Sequence, residues 1–162
     1  MPSQLKIEMI EIDEKVRLRR GKPDDSEALA WYQDQEVVYL VDGVRESYSL
    51  EKLQRMYAYL DQTGELYTIE VQEETGWKAI GDVTFSQNDV PIVIGDPAYR
   101  GQGLGKKIVQ ALVAEAKKRG YSALHVREIY QDNVASQKCF TACGFQIQAK
   151  TEKGYSYRRD LE

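Results

Sequence analysis

The sequence predicts one α+β domain over residues 1–162, built on a mixed, mostly antiparallel sheet flanked by about four helices. Three observations carry this. Short β-rich runs recur along the chain, at Val16–Arg19, Leu66–Val71, Trp77–Phe85, Val90–Ile94, Leu124–Ile129, Phe145–Lys150 and Tyr155–Asp160. Between them lie segments whose apolar residues return at helical spacing, such as Leu50, Leu53, Tyr57 and Leu60. Two pairs of runs are joined by the short polar turns Glu73–Gly76 and Glu152–Gly154, which read as hairpins.

In chain order, residues 1–15 are polar, with an extra strand expected around Leu5–Ile10. Val16–Arg19 alternates and opens the core sheet. Pro23 starts a helix at its first turn, with Asp24, Asp25 and Glu27 at its positive end. Asp34–Ser49 reads as a loop or broken helix, and Ser49 caps the next helix, which Gly64 ends. The first hairpin follows, and Asn88-Asp89 turns the chain into Val90–Ile94. Asp96-Pro97-Ala98-Tyr99 breaks that strand. Ile108, Val109, Leu112, Val113 and Ala116 then mark the apolar face of a long helix stopped by Gly120. A strand resumes, Asp132 caps a short helix closed by Gly144, and the second hairpin ends the chain. The order is β-α-α-β-β-β-α-β-α-β-β.

Composition narrows the function classes. The 162 residues are 42% hydrophobic and 30% charged, an ordinary balance for a soluble domain. No apolar run approaches the ~20 residues of a membrane span, and no signal-peptide core follows Met1, so a cytoplasmic protein with no membrane partner is expected. A net charge of −4 argues against a nucleic-acid partner. Cys139 and Cys143 sit four apart on one helix face, poorly placed for a disulfide, and with one histidine no metal site is expected. Charge is segregated: Asp34 to Glu74 holds ten acids against three bases, and Arg100 to Arg119 six bases against one acid. That split suits an anionic cofactor and a cationic acceptor.

The informative stretch is Arg100-Gly101-Gln102-Gly103-Leu104-Gly105, between a buried strand and a basic helix. Such a turn aims several backbone N–H groups one way at the positive end of a helix, and its glycines let a ligand approach the main chain. A phosphate or diphosphate is expected there. A P-loop is excluded because Gly105-Lys106 is followed by Lys107, not Ser or Thr. A dinucleotide fingerprint is excluded because its third glycine position holds Lys106.

Arg-x-x-Gly-x-Gly, met at Arg100, Gly103 and Gly105, is similar to the coenzyme A signature of the GNAT superfamily of N-acetyltransferases. A second segment, Asn133-x-x-Ser136-x-x-x-Phe140-x-x-x-Gly144-Phe145, resembles that family too, and the element order over residues 16–160 is the one expected of it. The resemblance implies a GNAT fold and acetyl-CoA as co-substrate. It implies cofactor contacts from Arg100, Gly101, Gln102, Gly103, Leu104, Gly105 and Lys106, from Val93, Ile94 and Gly95 through their main chain to pantetheine, and from Asn133, Ser136 and Phe140. Family members often carry Tyr at position 140 to protonate the departing thiolate. Phe140 has no such proton, so Ser136, Tyr130, water or an unassisted leaving group remain open.

Direct transfer needs a base, because an aliphatic amine is protonated at neutral pH. Two carboxylates are candidates. Relatives of the ribosomal-protein alanine acetyltransferase carry a catalytic Glu five residues before the Asn, a place held by Glu128; Leu124, Val126 and Glu128 are expected on one strand face. Asp82 is the alternative, an acid inside an otherwise apolar strand. His125 reads as a sheet histidine and Cys139 as a core thiol. The loop and helix from Asp34 to Gly64, with Tyr39, Tyr48, Tyr57 and Tyr59, are expected to wall the acceptor site. The resemblance thus implies an enzyme that acetylates a primary amine, either a protein N-terminus or a small cationic amine. An aminoglycoside 6'-acetyltransferase-like enzyme and a non-catalytic acyl-CoA sensor are the alternatives, and a homodimer is possible in this family.

Overall fold

The computed structural model describes residues 8–161. The chain runs through strands β1 (Met9–Glu11) and β2 (Val16–Arg20), then helices α1 (Asp25–Tyr32), α2 (Gln35–Asp42) and α3 (Leu50–Thr63). A long hairpin follows, β3 (Glu65–Glu73) and β4 (Gly76–Phe85), and then the short β5 (Ile92–Ile94). A 3-10 turn, Pro97–Tyr99, leads to α4 (Leu104–Lys118), β6 (Ala123–Tyr130), α5 (Val134–Ala142), and a final hairpin of β7 (Gln146–Lys150) and β8 (Gly154–Asp160). Both expected hairpins form. Of the expected first strand, residues 5–7 lie outside the described residues.

Local chemistry explains where the helices start. Asp24 caps α1 by accepting from Ser26 N–H at 2.9 Å, so Pro23 stands just before the cap and not in the first turn. Ser49 caps α3 through Lys52 N–H at 3.1 Å, as expected. Leu53 and Tyr57 are buried, whereas Leu50 is exposed, so the apolar stripe of α3 begins at Leu53. The segment expected as a loop or broken helix contains α2, capped by Asp34 on Glu36 N–H at 2.9 Å and stopped by Gly43 in the left-handed region (φ 77°). Five α-helices therefore flank the sheets among the described residues.

The strands form two antiparallel sheets, β1-β2-β3-β4-β5 and β6-β8-β7. The parallel relation expected of a mixed sheet survives as two bonds: His125 N–H to Gln87 O at 3.0 Å, and Arg127 N–H to an Asp89 carboxylate oxygen at 2.9 Å. Residues 87–89 thus run alongside β6 in its own direction. Beyond them β5 and β6 share no ladder, and a gap opens.

Helices cover both faces of the larger sheet. Tyr67, Ile69 and Val71 of β3 join Ile80, Val83 and Phe85 of β4 in one core with Ile108, Leu112 and Ala116 of α4. Leu66 and Ala79 face the other way, into a second core with Ala28, Trp31 and Tyr32 of α1 and Leu53 and Tyr57 of α3. β3 is buried on both faces although its sequence alternates: Tyr67, Ile69 and Val71 are apolar, while Thr68 and Glu70 between them are buried polar residues, Glu70 paired with Arg17 and Arg19 at 2.7 and 2.9 Å.

Candidate active site

A cavity of about 490 Å³ fills the gap between the sheets. Its floor is β5, one end is the Gly101–Lys106 turn, one wall is α5 through Asn133, Ser136 and Cys139, and the opposite wall is α2 through Val37, Leu40 and Val41.

The turn has the properties its sequence implied. Gly101 and Gly103 take left-handed backbone, φ 73° and 79°, and a Cβ at either would meet nothing within 4 Å. Gly103 is the N-cap of α4 and offers no side chain to the helix. In α1, α2, α3 and α5 a carboxylate, hydroxyl or amide oxygen closes the first turn. In α4 the first intrahelical bond is Lys107 N–H to Gly103 O, at 3.2 Å, which leaves the N–H groups of Leu104, Gly105 and Lys106 without an intrahelical acceptor at the positive end of a 15-residue helix. An open helix end of this kind has the geometry to receive an anion. Gly105 also serves packing: a Cβ there would stand 3.3 Å from the Cys139 sulfur of α5.

The other expected cofactor residues divide. Val93, Ile94, Arg100, Gly101, Gly103, Leu104, Gly105, Lys106, Asn133 and Ser136 line the cavity, and Gly95, Gln102 and Phe140 do not. Gln102 is tied to Ala98 O at 2.7 Å. Gly95 is buried against Trp31, whose ring atoms would stand within 2.5 Å of an added Cβ. Phe140 is buried in the core, edge-on to Phe145 at 5.1 Å. Arg100 directs its guanidinium back at β5, with Nε donating to Ile94 O and Nη2 to Gly95 O, each at 2.9 Å. Asn133, rather than Asp132, caps α5 by accepting from Ser136 N–H at 3.2 Å, and its amide nitrogen reaches Leu40 O at 3.4 Å.

Register decides which peptide groups of β5 face the gap. Thr84 N–H binds Pro91 O and Gly95 N–H binds Ile80 O, at 3.0 and 2.8 Å. Bonded pairs alternate in an antiparallel ladder, so Asp82 and Val93 form the pair between them. The main chain of Val93 is therefore spent on β4, and the gap-facing groups belong to Ile92 and Ile94, which corrects the expected Val93–Gly95 set.

Glu128 does not reach the cavity. The register of β6 against β8 shifts between Val126 and Ile129, and this bulge breaks the expected alternation: Leu124, Val126 and Ile129 are buried while Arg127 and Glu128 are exposed. Glu128 Oε2 accepts from Lys153 N–H at 2.9 Å, and bonds from Thr151 and that N–H hold its carboxyl below the ordinary value. It caps the β7–β8 turn.

Asp82 is the displaced acid. It is 3% exposed and accepts from Tyr32 and Tyr57 hydroxyls, at 2.9 and 2.8 Å, both on Oδ2. Burial pushes its carboxyl up to about 6, against the pull of those two bonds. The cluster lies under α1 and α3, one strand from Val93 on the cavity floor.

None of the four expected acceptor-wall tyrosines lines the cavity. Tyr57 holds Asp82, Tyr48 donates to Asp42 at 2.8 Å, Tyr59 is exposed, and Tyr39 stands at the rim. Tyr39 donates to Asp132 at 2.6 Å and lies 3.1 Å from the Tyr130 hydroxyl. With Lys153 Nζ on Asp42 O at 2.8 Å, these contacts tether α2 over the cavity. The apolar wall that α2 does supply was missed by sequence reasoning, although Val37, Leu40 and Val41 are at helical spacing between a capping Asp34 and a stopping Gly43. Both cysteines are free, and burial pushes the Cys139 thiol up to about 12. His125 is half-buried on β6. No helix of the described residues is long and apolar enough to cross a membrane, and no cluster among them could hold a metal ion.

Comparison with known proteins agrees with this geometry. The profile of the family described as "Acetyltransferase (GNAT) domain" matches residues 15–146. A ribosomal-protein-bS18 alanine N-acetyltransferase of Haemophilus ducreyi is 38% identical over 60 residues, 37% of this chain and 40% of the relative. The match thus spans well under half of that curated relative. A domain from Methanocaldococcus jannaschii superposes with a TM-score of 0.77 at 22% identity, covering 92% of this chain and 100% of that one. The ribosomal alpha-N-protein acetyltransferase RimL, solved in complex with coenzyme A, superposes at 0.72 and 19% identity, covering 95% and 98%. With its glycine turn, its open helix end and a family match over most of its length, the chain belongs to the GNAT acetyltransferase family.

Proposed function

We propose that this protein moves an acetyl group from acetyl-CoA directly to a primary amine, and that the acceptor is a protein N-terminus. The observation that carries the reading is the uncapped first turn of α4 at the end of a cavity floored by β5, whose outer edge has no neighbouring strand. Gly101 to Lys106 would seat the diphosphate through main-chain N–H groups. The peptide groups of Ile92 and the N–H of Ile94 would pair with the pantetheine amides, since Arg100 already donates to Ile94 O, and Asn133 and Ser136 would border the thioester end.

The amine must lose a proton before its lone pair attacks the thioester carbon. Asp82 is proposed as the group that takes it: it does not line the cavity itself, but its carboxyl is raised toward neutrality one strand from the floor, and its tyrosine partners Tyr32 and Tyr57 would have to relay the proton. Glu128 is not proposed, because its exposed carboxylate is engaged by Lys153 N–H and held below its ordinary value, the wrong direction for a base near neutrality. As the C–S bond breaks, the electron pair leaves on sulfur. A thiol of pKa near ~8.5 is a competent leaving group without a strong acid, and Ser136 is the hydroxyl on the α5 wall. The N-terminal acceptor is supported by the activities of the Haemophilus relative and of RimL, and by the acidic 34–74 segment.

The test follows thiol release from acetyl-CoA against peptides with free α-amines, the same peptides blocked at the N-terminus, a polyamine and an aminoglycoside. Release with free peptides alone is expected. Release with the polyamine or aminoglycoside instead would replace the acceptor class. Tight coenzyme A binding with no release across the panel would overturn the enzyme reading in favour of a sensor.

A further inference from the structure

Arg100 opens the glycine motif, and a guanidinium beside a diphosphate seat invites the assumption that it binds phosphate. Its hydrogen bonds point elsewhere. Nε and Nη2 form one edge of the planar guanidinium fork, and that edge meets two successive carbonyls, Ile94 O and Gly95 O, at 2.9 Å each. The Ile94 carbonyl faces the gap, where β5 has no neighbouring strand. With no strand beside it, this carbonyl takes its hydrogen bond from Arg100, which fixes the direction of the Ile94 peptide plane and so of its N–H. Gly95 is fixed on its other sides, by its N–H on Ile80 O at 2.8 Å and by Trp31 against its Cα. The fork therefore locks the last point of freedom at the strand end. Arg100 also immediately precedes Gly101, so the same side chain joins strand and turn.

We propose that Arg100 is a positioning residue for coenzyme A that acts through strand β5, setting the pantetheine-binding edge against the diphosphate seat, and does not bind phosphate itself. This rests on the coenzyme A reading above. It makes a distinctive demand: loss of Arg100 must hurt ligands that carry the pantetheine arm and spare those that carry only the phosphates.

The experiment compares equilibrium binding of coenzyme A with that of adenosine 3'-phosphate 5'-diphosphate, which keeps the diphosphate and lacks the arm. Wild type, Arg100→Gln and Arg100→Lys are titrated between about 50 and 300 mM salt, a range that screens exposed charge contacts. Arg100→Gln is expected to weaken coenzyme A at least about tenfold, to change the nucleotide fragment less than about twofold, and to show the same loss at both salts. Arg100→Lys, able to reach one carbonyl, should fall between. Equal losses for the two ligands, or a loss that shrinks with salt, would assign Arg100 to the phosphates and overturn the proposal; no loss for either would overturn it too. Should the variants fail to fold, the wild-type Arg100 Nε–H resonance gives the answer. It should stay protected from exchange and unmoved when the fragment binds, and a large shift would refute the proposal. A wild type that binds neither ligand would instead remove the coenzyme A reading, a distinguishable failure.

Discussion

Asp82→Asn separates what the buried acid does for the fold from the proton transfer proposed for it. Raising a carboxyl from 3.8 to about 6 makes its ionisation about 3 kcal/mol harder in the folded protein than in the unfolded chain. Between about pH 4 and 6 the folded state holds a proton that the unfolded state has lost, so wild-type stability falls as pH rises through that window. Below it the carboxyl is neutral in both states and nothing is lost. The asparagine oxygen can still accept from Tyr32 and Tyr57, and it never has to ionise. Asp82→Asn should therefore match wild type near pH 4 and exceed it by up to about 3 kcal/mol at pH 7, a rise in Tm of roughly 6–12 °C for a chain this size. Its turnover should fall about 10²- to 10⁴-fold if Asp82 is the base. Thermal melts across pH 4–8, paired with thiol-release kinetics, check both. A stability difference that does not vary with pH would refute the buried-charge argument, and full turnover across pH would refute the base assignment.

Three further outcomes are expected. Gly103→Ala should cost about 1–2 kcal/mol of backbone strain, because alanine disfavours left-handed φ, and should weaken coenzyme A binding in calorimetry. Since an added Cβ meets nothing within 4 Å there, any loss is conformational rather than steric. Glu128→Gln should keep turnover within about twofold, because the amide oxygen still accepts from Lys153 N–H; a pH-dependent collapse of kcat would return Glu128 to the chemistry. Phe140→Tyr should not raise kcat, and should lower stability in denaturant melts by about 1–3 kcal/mol, since a hydroxyl in that core lacks a partner.

The elements that could be read from the sequence are those whose signals are local. The α4 stripe, the three motif glycines and both hairpin turns depend on residues a few positions apart, and each stands where expected. What stayed hidden depends on partners. The bulge in β6 exists only against β8, so alternation alone put Glu128 on the wrong face. Asp132 and Asn133 are both good capping residues, and the choice falls to Asn133 because Asp132 is engaged by Tyr39, 93 residues away. The Asp82 cluster joins three residues from β4, α1 and α3 with no common spacing. Arg100 was legible as part of a motif, but the carbonyls it holds belong to a strand end whose free edge appears only in the folded protein.

The contact of Gly105 with the Cys139 sulfur has a metrical consequence. The helix that carries the phosphate seat and the helix that carries Asn133 and Ser136 touch at this point. Their separation is the ruler against which a bound thioester is measured. A larger residue at position 105 would lengthen that ruler while keeping the main-chain N–H proposed to meet the phosphates, and a well-anchored nucleotide would then deliver its acyl carbon short of the amine.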